Sequence, residues 1–173
     1  VLHTALGGDL EVVTVPGPHG EPTPVTLLLV GETAYVESAQ ACGLQLTGGD
    51  GVEVASTVGV GRLVEVAVDA GARTVVVGLG GSGTNDGGAG LLHALGATAD
   101  GRLDAGPLRL SDVTSVDLAP ARERVAGVRL VAASDVDVPL TGLFGATKSF
   151  GPQKGVAEER IALLDGLLEQ LAV

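Results

Sequence analysis

Polar and apolar positions along the chain change period after the first third. Asp9 to Val15 (DLEVVTV) and Val25 to Val30 read as strands, separated by the Pro/Gly-rich turn Pro16 to Pro24. Thr33 to Glu37 reads as a third strand, with Gly31-Glu32 as a two-residue hairpin turn. From Val52 to Ala70 apolar residues recur at helical spacing, with Asp50 in the N-cap region and Gly71 just past the end. Gly59 and Gly61 weigh against the first half of that helix, because an interior glycine costs about 1 kcal/mol relative to alanine.

The pattern then runs strand, loop, helix. Arg73 to Val77 is an apolar strand, Gly78 to Gly88 (GLGGSGTNDGG) is a glycine-dense loop, and Ala89 to Leu95 is a short helix closed by Gly96. Thr98 to Gly106 reads as polar surface loop, and Leu108 to Leu118 carries no decisive period. Val128 to Ala133 reads as a second buried-type strand, running into Asp135-Val136-Asp137-Val138-Pro139. A second glycine-rich loop, Gly142 to Gly155, leads to an amphipathic helix from about Ala157 to the C-terminus. This order predicts an α/β fold, a mixed sheet with packed helices, in one domain over residues 1–173.

Composition narrows the function. Aromatic residues are 2% of the chain, so Val, Leu and Ala must build the core, and no aromatic platform for stacking bases exists. A formal charge of −11 is the wrong sign for a phosphate-backbone binder, so no nucleic-acid partner is expected. One cysteine, Cys42, excludes an internal disulfide. No apolar run approaches the roughly 18 residues of a membrane span and no signal peptide is evident, so the expectation is a soluble cytoplasmic protein without a membrane partner. Methionine is absent even at position 1, which reads as a fragment or a processed chain. Glycine is the compositional excess, 28 of 173 residues, and much of it sits in the two loops.

In the loop Gly78 to Gly88, clustered glycines let backbone N–H groups converge on an anion, and Ser82, Thr84 and Asn85 add side-chain donors. Gly78, Gly80 and Gly83 formally satisfy a dinucleotide fingerprint, with Asp100 and Asp104 at the acidic position. That reading is discounted, because Thr84 to Gly88 inserts a further turn before the helix begins. Asp135 and Asp137, at the carboxyl end of a strand, suit Mg²⁺ or the proton of a substrate hydroxyl, and turn formation is the plain alternative. Lys154 could neutralise phosphate, or simply be a solvated loop lysine. Lys148-Ser149 lacks the spacing of a P-loop. His3, His19 and His93 have no metal-ligand spacing, and His93 reads as a helix residue on a partly buried face.

Val75 to Ala97, Ser134 to Gly142 (SDVDVPLTG) and Phe150 to Gly155 (FGPQKG) together resemble the bacterial glycerate kinase family. Gly7 to Pro24 and Glu37 to Leu44 (ESAQACGL) are similar to its early segments, so the resemblance spans nearly the whole chain. It implies phosphorylation of D-glycerate with ATP and Mg²⁺, in a cleft between a Rossmann-like domain and an inserted second α/β domain. This chain resembles the second domain, and the missing Rossmann-like domain becomes an expected partner. By the same resemblance Gly80, Gly81, Ser82, Thr84 and Asn85 hold the glycerate carboxylate or a phosphate. One of Asp86, Asp135 and Asp137 orients the hydroxyl or Mg²⁺, with Asp135 and Asp137 as the metal candidates, and Lys154 offsets developing charge. Gly83 replaces an alanine, a mild change, and three positions depart from the family pattern by losing a polar group: Val60 replaces a threonine, Arg62 a glutamate and Val138 an asparagine. They leave open a second reading, an anion-binding or assembly domain without chemistry.

Overall fold

The computed structural model describes residues 1–172. These residues form seven strands and eight helices: β1 (Asp9–Pro16), β2 (Pro22–Val30), β3 (Thr33–Glu37), β4 (Thr74–Gly78), β5 (Thr98–Ala99), β6 (Val116–Asp117) and β7 (Arg129–Ala133); α1 (Leu2–Leu6), α2 (Ala39–Cys42), α3 (Leu44–Thr47), α4 (Val58–Asp69), α5 (Ala89–Ala94), α6 (Ala119–Arg124), α7 (Ala146–Phe150) and α8 (Ile161–Leu171). The main sheet has the order β1-β2-β3-β4-β7, antiparallel through β3 and parallel from β3 to β7. The α/β class and the mixed sheet agree with the sequence pattern, as does the hairpin at Gly31-Glu32, where Val30 pairs with Thr33.

One face of the sheet is built to take α4. Val25, Leu27, Ala34, Val36, Val75 and Val77 are buried there, and α4 returns Val60, Leu63, Val64 and Ala67. The two glycines that seemed to oppose the helix are what let it pack. A Cβ on Gly59 would sit 2.0 Å from the Pro16 carbonyl oxygen, and one on Gly61 would sit 2.6 Å from the Ala94 Cβ. Their lower helix propensity is outweighed by the close approach of β1 and α5. The helix nevertheless begins at Val58, not Val52: Val52 and Val54 lie in a preceding turn, and Asp50 bonds only the neighbouring Gly51 amide, at 2.8 Å.

Three other expectations change. Val128 to Ala133 is not a buried strand, because among the described residues β7 is the edge strand of the sheet and Leu130 is 44% exposed. Thr98 to Gly106 is not all surface, because β5 pairs with β6 and Leu103 is buried together with Leu110 and Val113 beside α8. Gly142 to Gly155 is mostly helical turns, α7 and Pro152–Lys154. The last helix buries Ile161, Leu164, Leu167 and Leu168 along one stripe, and Val173 lies outside the described residues. No helix among the described residues is long and apolar enough to cross a membrane.

Candidate functional site

Parallel strands β4 and β7 end at the same edge of the sheet, with Gly78 beside Ala133, and the glycine loop departs from this edge. It is held along its length. The Gly83 amide donates to the Cys42 carbonyl and the Leu44 amide to the Gly81 carbonyl, both at 2.8 Å, which docks the loop on the junction of α2 and α3. Beyond Asp86, Gly87 and Gly88 take φ values of +61° and +83°, a left-handed pair that turns the chain around the Asp86 side chain.

Asp86 is 1% exposed, and its carboxylate accepts four hydrogen bonds. Oδ2 receives the Thr57 amide and hydroxyl, both at 2.8 Å, and the Gly90 amide at 3.2 Å; Oδ1 receives the Gly88 amide at 3.1 Å. Burial pushes this carboxyl above its ordinary range, against the pull of those donors. Its oxygens are thereby committed to binding the loop, the start of α4 and the start of α5 into one unit.

The neighbouring residues of the loop are tied in the same way. Asn85 donates through Nδ2 to the buried Thr147 hydroxyl of α7 at 3.1 Å. The hydroxyls of Ser82 and Thr84 lie 2.9 Å apart, and the Thr84 carbonyl accepts from Lys154 Nζ at 2.6 Å. Lys154 reaches it because the Pro152–Lys154 turn seats Gly155 directly on the Gly49 carbonyl, where no Cβ would fit. Burial lowers the Lys154 pKa, opposed by the nearby Cys42 and Asp86.

Ser82, Thr84, Asn85, Asp86 and Lys154 all line one cavity of about 320 Å³. Among the described residues the backbone amides of Asn85, Asp86 and Gly87 donate to no acceptor. A lysine, two hydroxyl residues and a loop with unpartnered amides on one small cavity are the residue types that suit a compact anion. Ser38, Cys42 and Thr57 also line it, and the sequence reading gave these no role. Ser38 is 3% exposed with a hydroxyl that has no partner, and it stands in the quoted segment ESAQACGL, the signal that could have found it.

The remaining candidates are elsewhere. Gly80 and Gly81 are exposed and border a groove with Leu44 and Gln45, outside this cavity. Asp135 and Asp137 are exposed just beyond β7, near the same sheet edge, and do not line the cavity. Of the three departures from the family pattern only Val60 faces it. Arg62 lines separate cavities with His93, which is exposed and not on a partly buried face. Asp100 and Asp104 do not serve the loop: Asp100 accepts from the amides of Thr114 and Ser115, and Asp104 pairs with Arg102.

Comparison with known proteins identifies the family. A sequence model of the glycerate kinase family matches residues 1–173. The chain is 40% identical over 172 residues to a glycerate kinase of Bacillus subtilis (strain 168), covering 95% of this chain and 45% of that protein. It is 37% identical over 166 residues to the glycerate 2-kinase of Escherichia coli (strain K12), covering 91% and 44%. A crystal structure from Salmonella typhimurium LT2, described as glycerate kinase 2, superposes with a TM-score of 0.93 at 35% identity, over 99% of this chain and 48% of that one. The chain therefore spans about half the length of the curated relatives it matches, and it belongs to the glycerate kinase family.

Proposed function

We propose that the chain is the substrate-side domain of a kinase that transfers the γ-phosphate of ATP to D-glycerate. The observation that carries this reading is that Lys154 lines one cavity of about 320 Å³ together with Ser82, Thr84, Asn85, Asp86 and Gly87 of the glycine loop. In this reading the Ser82, Thr84 and Asn85 loop receives the glycerate carboxylate, and Lys154 offsets charge as the phosphoryl group moves. A glycerate hydroxyl oxygen forms the new P–O bond as the bond to the β-phosphate oxygen breaks and ADP leaves.

Asp135 or Asp137, exposed just beyond β7 at the same edge of the sheet, would orient the glycerate hydroxyl or hold Mg²⁺. Asp86 acts by position, since its oxygens already hold four donors. No group of three or more His, Cys, Asp or Glu side chains converges among the described residues. Two hard carboxylates are sufficient for Mg²⁺, which keeps several waters and takes further oxygens from phosphate. Asp135 and Asp137 are the residues that would hold it, where it would neutralise phosphate charge.

Titration calorimetry with D-glycerate tests the site. Saturable binding that falls at least tenfold in Lys154→Met supports it, and absent or unchanged binding overturns it. On the same reading this chain binds without turnover, so ATP- and glycerate-dependent ADP release by the chain alone would contradict the assignment to a substrate-side domain. Val60 favours the second reading, an anion-binding domain without chemistry, by placing an apolar side chain in the cavity. Turnover in the chain joined to the remaining half of a relative, with Val60 left in place, would reject that alternative.

A further inference from the structure

We propose that Arg62, Arg102 and Arg109 form a second anion-binding site, for a phosphorylated small molecule, on the other side of α4 and α5 from the glycine loop. These arginines line a cavity of about 560 Å³ together with His19 and His93, and Asp104 is the one carboxylate residue in its wall. The chain as a whole carries 21 acidic residues against 10 Lys and Arg, so three of its cations around one cavity reverse the prevailing sign.

The guanidinium groups have capacity left. Arg102 uses Nε and Nη2 on Asp104, both at 3.0 Å, Arg62 uses Nη1 on Glu65 at 2.6 Å, and Arg109 makes only a 4.0 Å contact with Asp112. Each guanidinium offers five donors in a planar fork that matches phosphate oxygens. The side chains of Arg62, Arg102 and Arg109 are 48%, 66% and 59% exposed, so a ligand from solvent reaches them directly.

The walls behind them are built closely. The Ser56 amide donates to the Pro18 carbonyl at 2.8 Å, pinning the β1–β2 turn to the entry of α4. Gly106 brings its loop against the Val54 backbone, where a Cβ would lie 2.4 Å from the Val54 carbonyl carbon. Val60 and Leu91 line the loop cavity, while Arg62 and His93, two residues further along the same helices, line this one. The two cavities have no lining residue in common.

The test is a titration of the ¹⁵N-labelled chain with inorganic phosphate at ionic strength held constant with sodium chloride. Saturable shifts are expected in the amides of Gly17, His19, Gly20, Arg62, His93 and the non-proline residues of 102–109. They should weaken at least tenfold in the double variant Arg102→Gln/Arg109→Gln and persist in Lys154→Met, with a well-dispersed spectrum showing that each variant is folded. Shifts confined to residues 78–88, a response that does not saturate, or an undiminished response in the folded double variant would each overturn the proposal.

Discussion

Thr57 is joined to Asp86 twice: its amide and its hydroxyl each donate at 2.8 Å to the same carboxylate oxygen, Oδ2. The start of α4 is therefore held by a side chain of the glycine loop, beside the Ser56 hydroxyl, which accepts from the Val58 amide at 3.3 Å. The Thr57 hydroxyl also accepts from the Leu91 amide at 3.0 Å, so one threonine links α4, α5 and the loop.

That linkage predicts the effect of removing it. Thr57→Val takes one donor from a buried carboxylate and leaves the Leu91 amide without its acceptor, at a cost of about 2–3 kcal/mol. Thr57→Ser keeps the hydroxyl and should recover most of the loss. Urea denaturation midpoints of the three proteins decide it; equal stability of the valine and serine variants would show that the hydroxyl bonds contribute little.

A helical glycine should behave oppositely in two helices. In α4, Gly61→Ala gains about 1 kcal/mol of propensity but drives a methyl to within 2.6 Å of Ala94 Cβ and the Leu91 carbonyl oxygen. Overpacking of that kind costs about 1–3 kcal/mol, so the variant is expected to be less stable. In α8, nothing lies within 4 Å of a Cβ added at Gly166, and Gly166→Ala should stabilise by about 1 kcal/mol. Thermal unfolding of the two variants checks the opposite signs.

Lys154 should give two opposed pH dependences. Burial sets its pKa below 10.5 in the folded chain, so the unfolded chain holds the proton more tightly, and stability rises as pH climbs from the folded pKa towards 10.5. Anion binding runs the other way, because it needs the ammonium and is lost through the same window. Lys154→Met should flatten both slopes, measured as urea midpoints and as D-glycerate affinity across the alkaline range.

Acid stability should depend on Asp100. Hydrogen bonds from the Thr114 hydroxyl and amide and the Ser115 amide lower its pKa from 3.8 to about 2. A carboxylate depressed in this way stabilises the fold fully above its unfolded pKa and loses that contribution as pH falls towards 2. The difference in urea midpoint between the wild-type chain and Asp100→Asn should therefore be largest near neutral pH and shrink below about pH 4. A gap independent of pH would contradict this.

Local pattern was enough to place much of the framework. The strands β1 to β3, the hairpin at Gly31-Glu32 and the apolar stripe of α8 are properties of short stretches, and the structure has each of them, although β2 begins at Pro22, inside the segment read as a turn, and α8 begins at Ile161 and not at Ala157. The motif from Gly78 to Gly88 could likewise be picked out as a candidate anion loop from its residue types, because Gly, Ser, Thr and Asn carry their chemistry in the backbone and in short side chains.

Whatever depended on partners distant along the chain was decided by packing. Gly59 and Gly61 look like helix breakers until Pro16 and Ala94 are seen against them, and Val128 to Ala133 looks buried until it falls at a sheet edge. Asp86 reads as a reactive carboxylate beside Asp135 and Asp137, but tertiary structure gives it four donors from three segments and leaves the other two exposed. Ser38, Cys42 and Thr57 join the cavity only because the loop folds back over α2 and the start of α4. The sequence by itself determined the elements and the chemical character of the loop, since both follow from neighbours along the chain. Burial, edge position and the division of carboxylates between structure and solvent belong to the tertiary fold, since each depends on atoms brought together from far apart in the sequence.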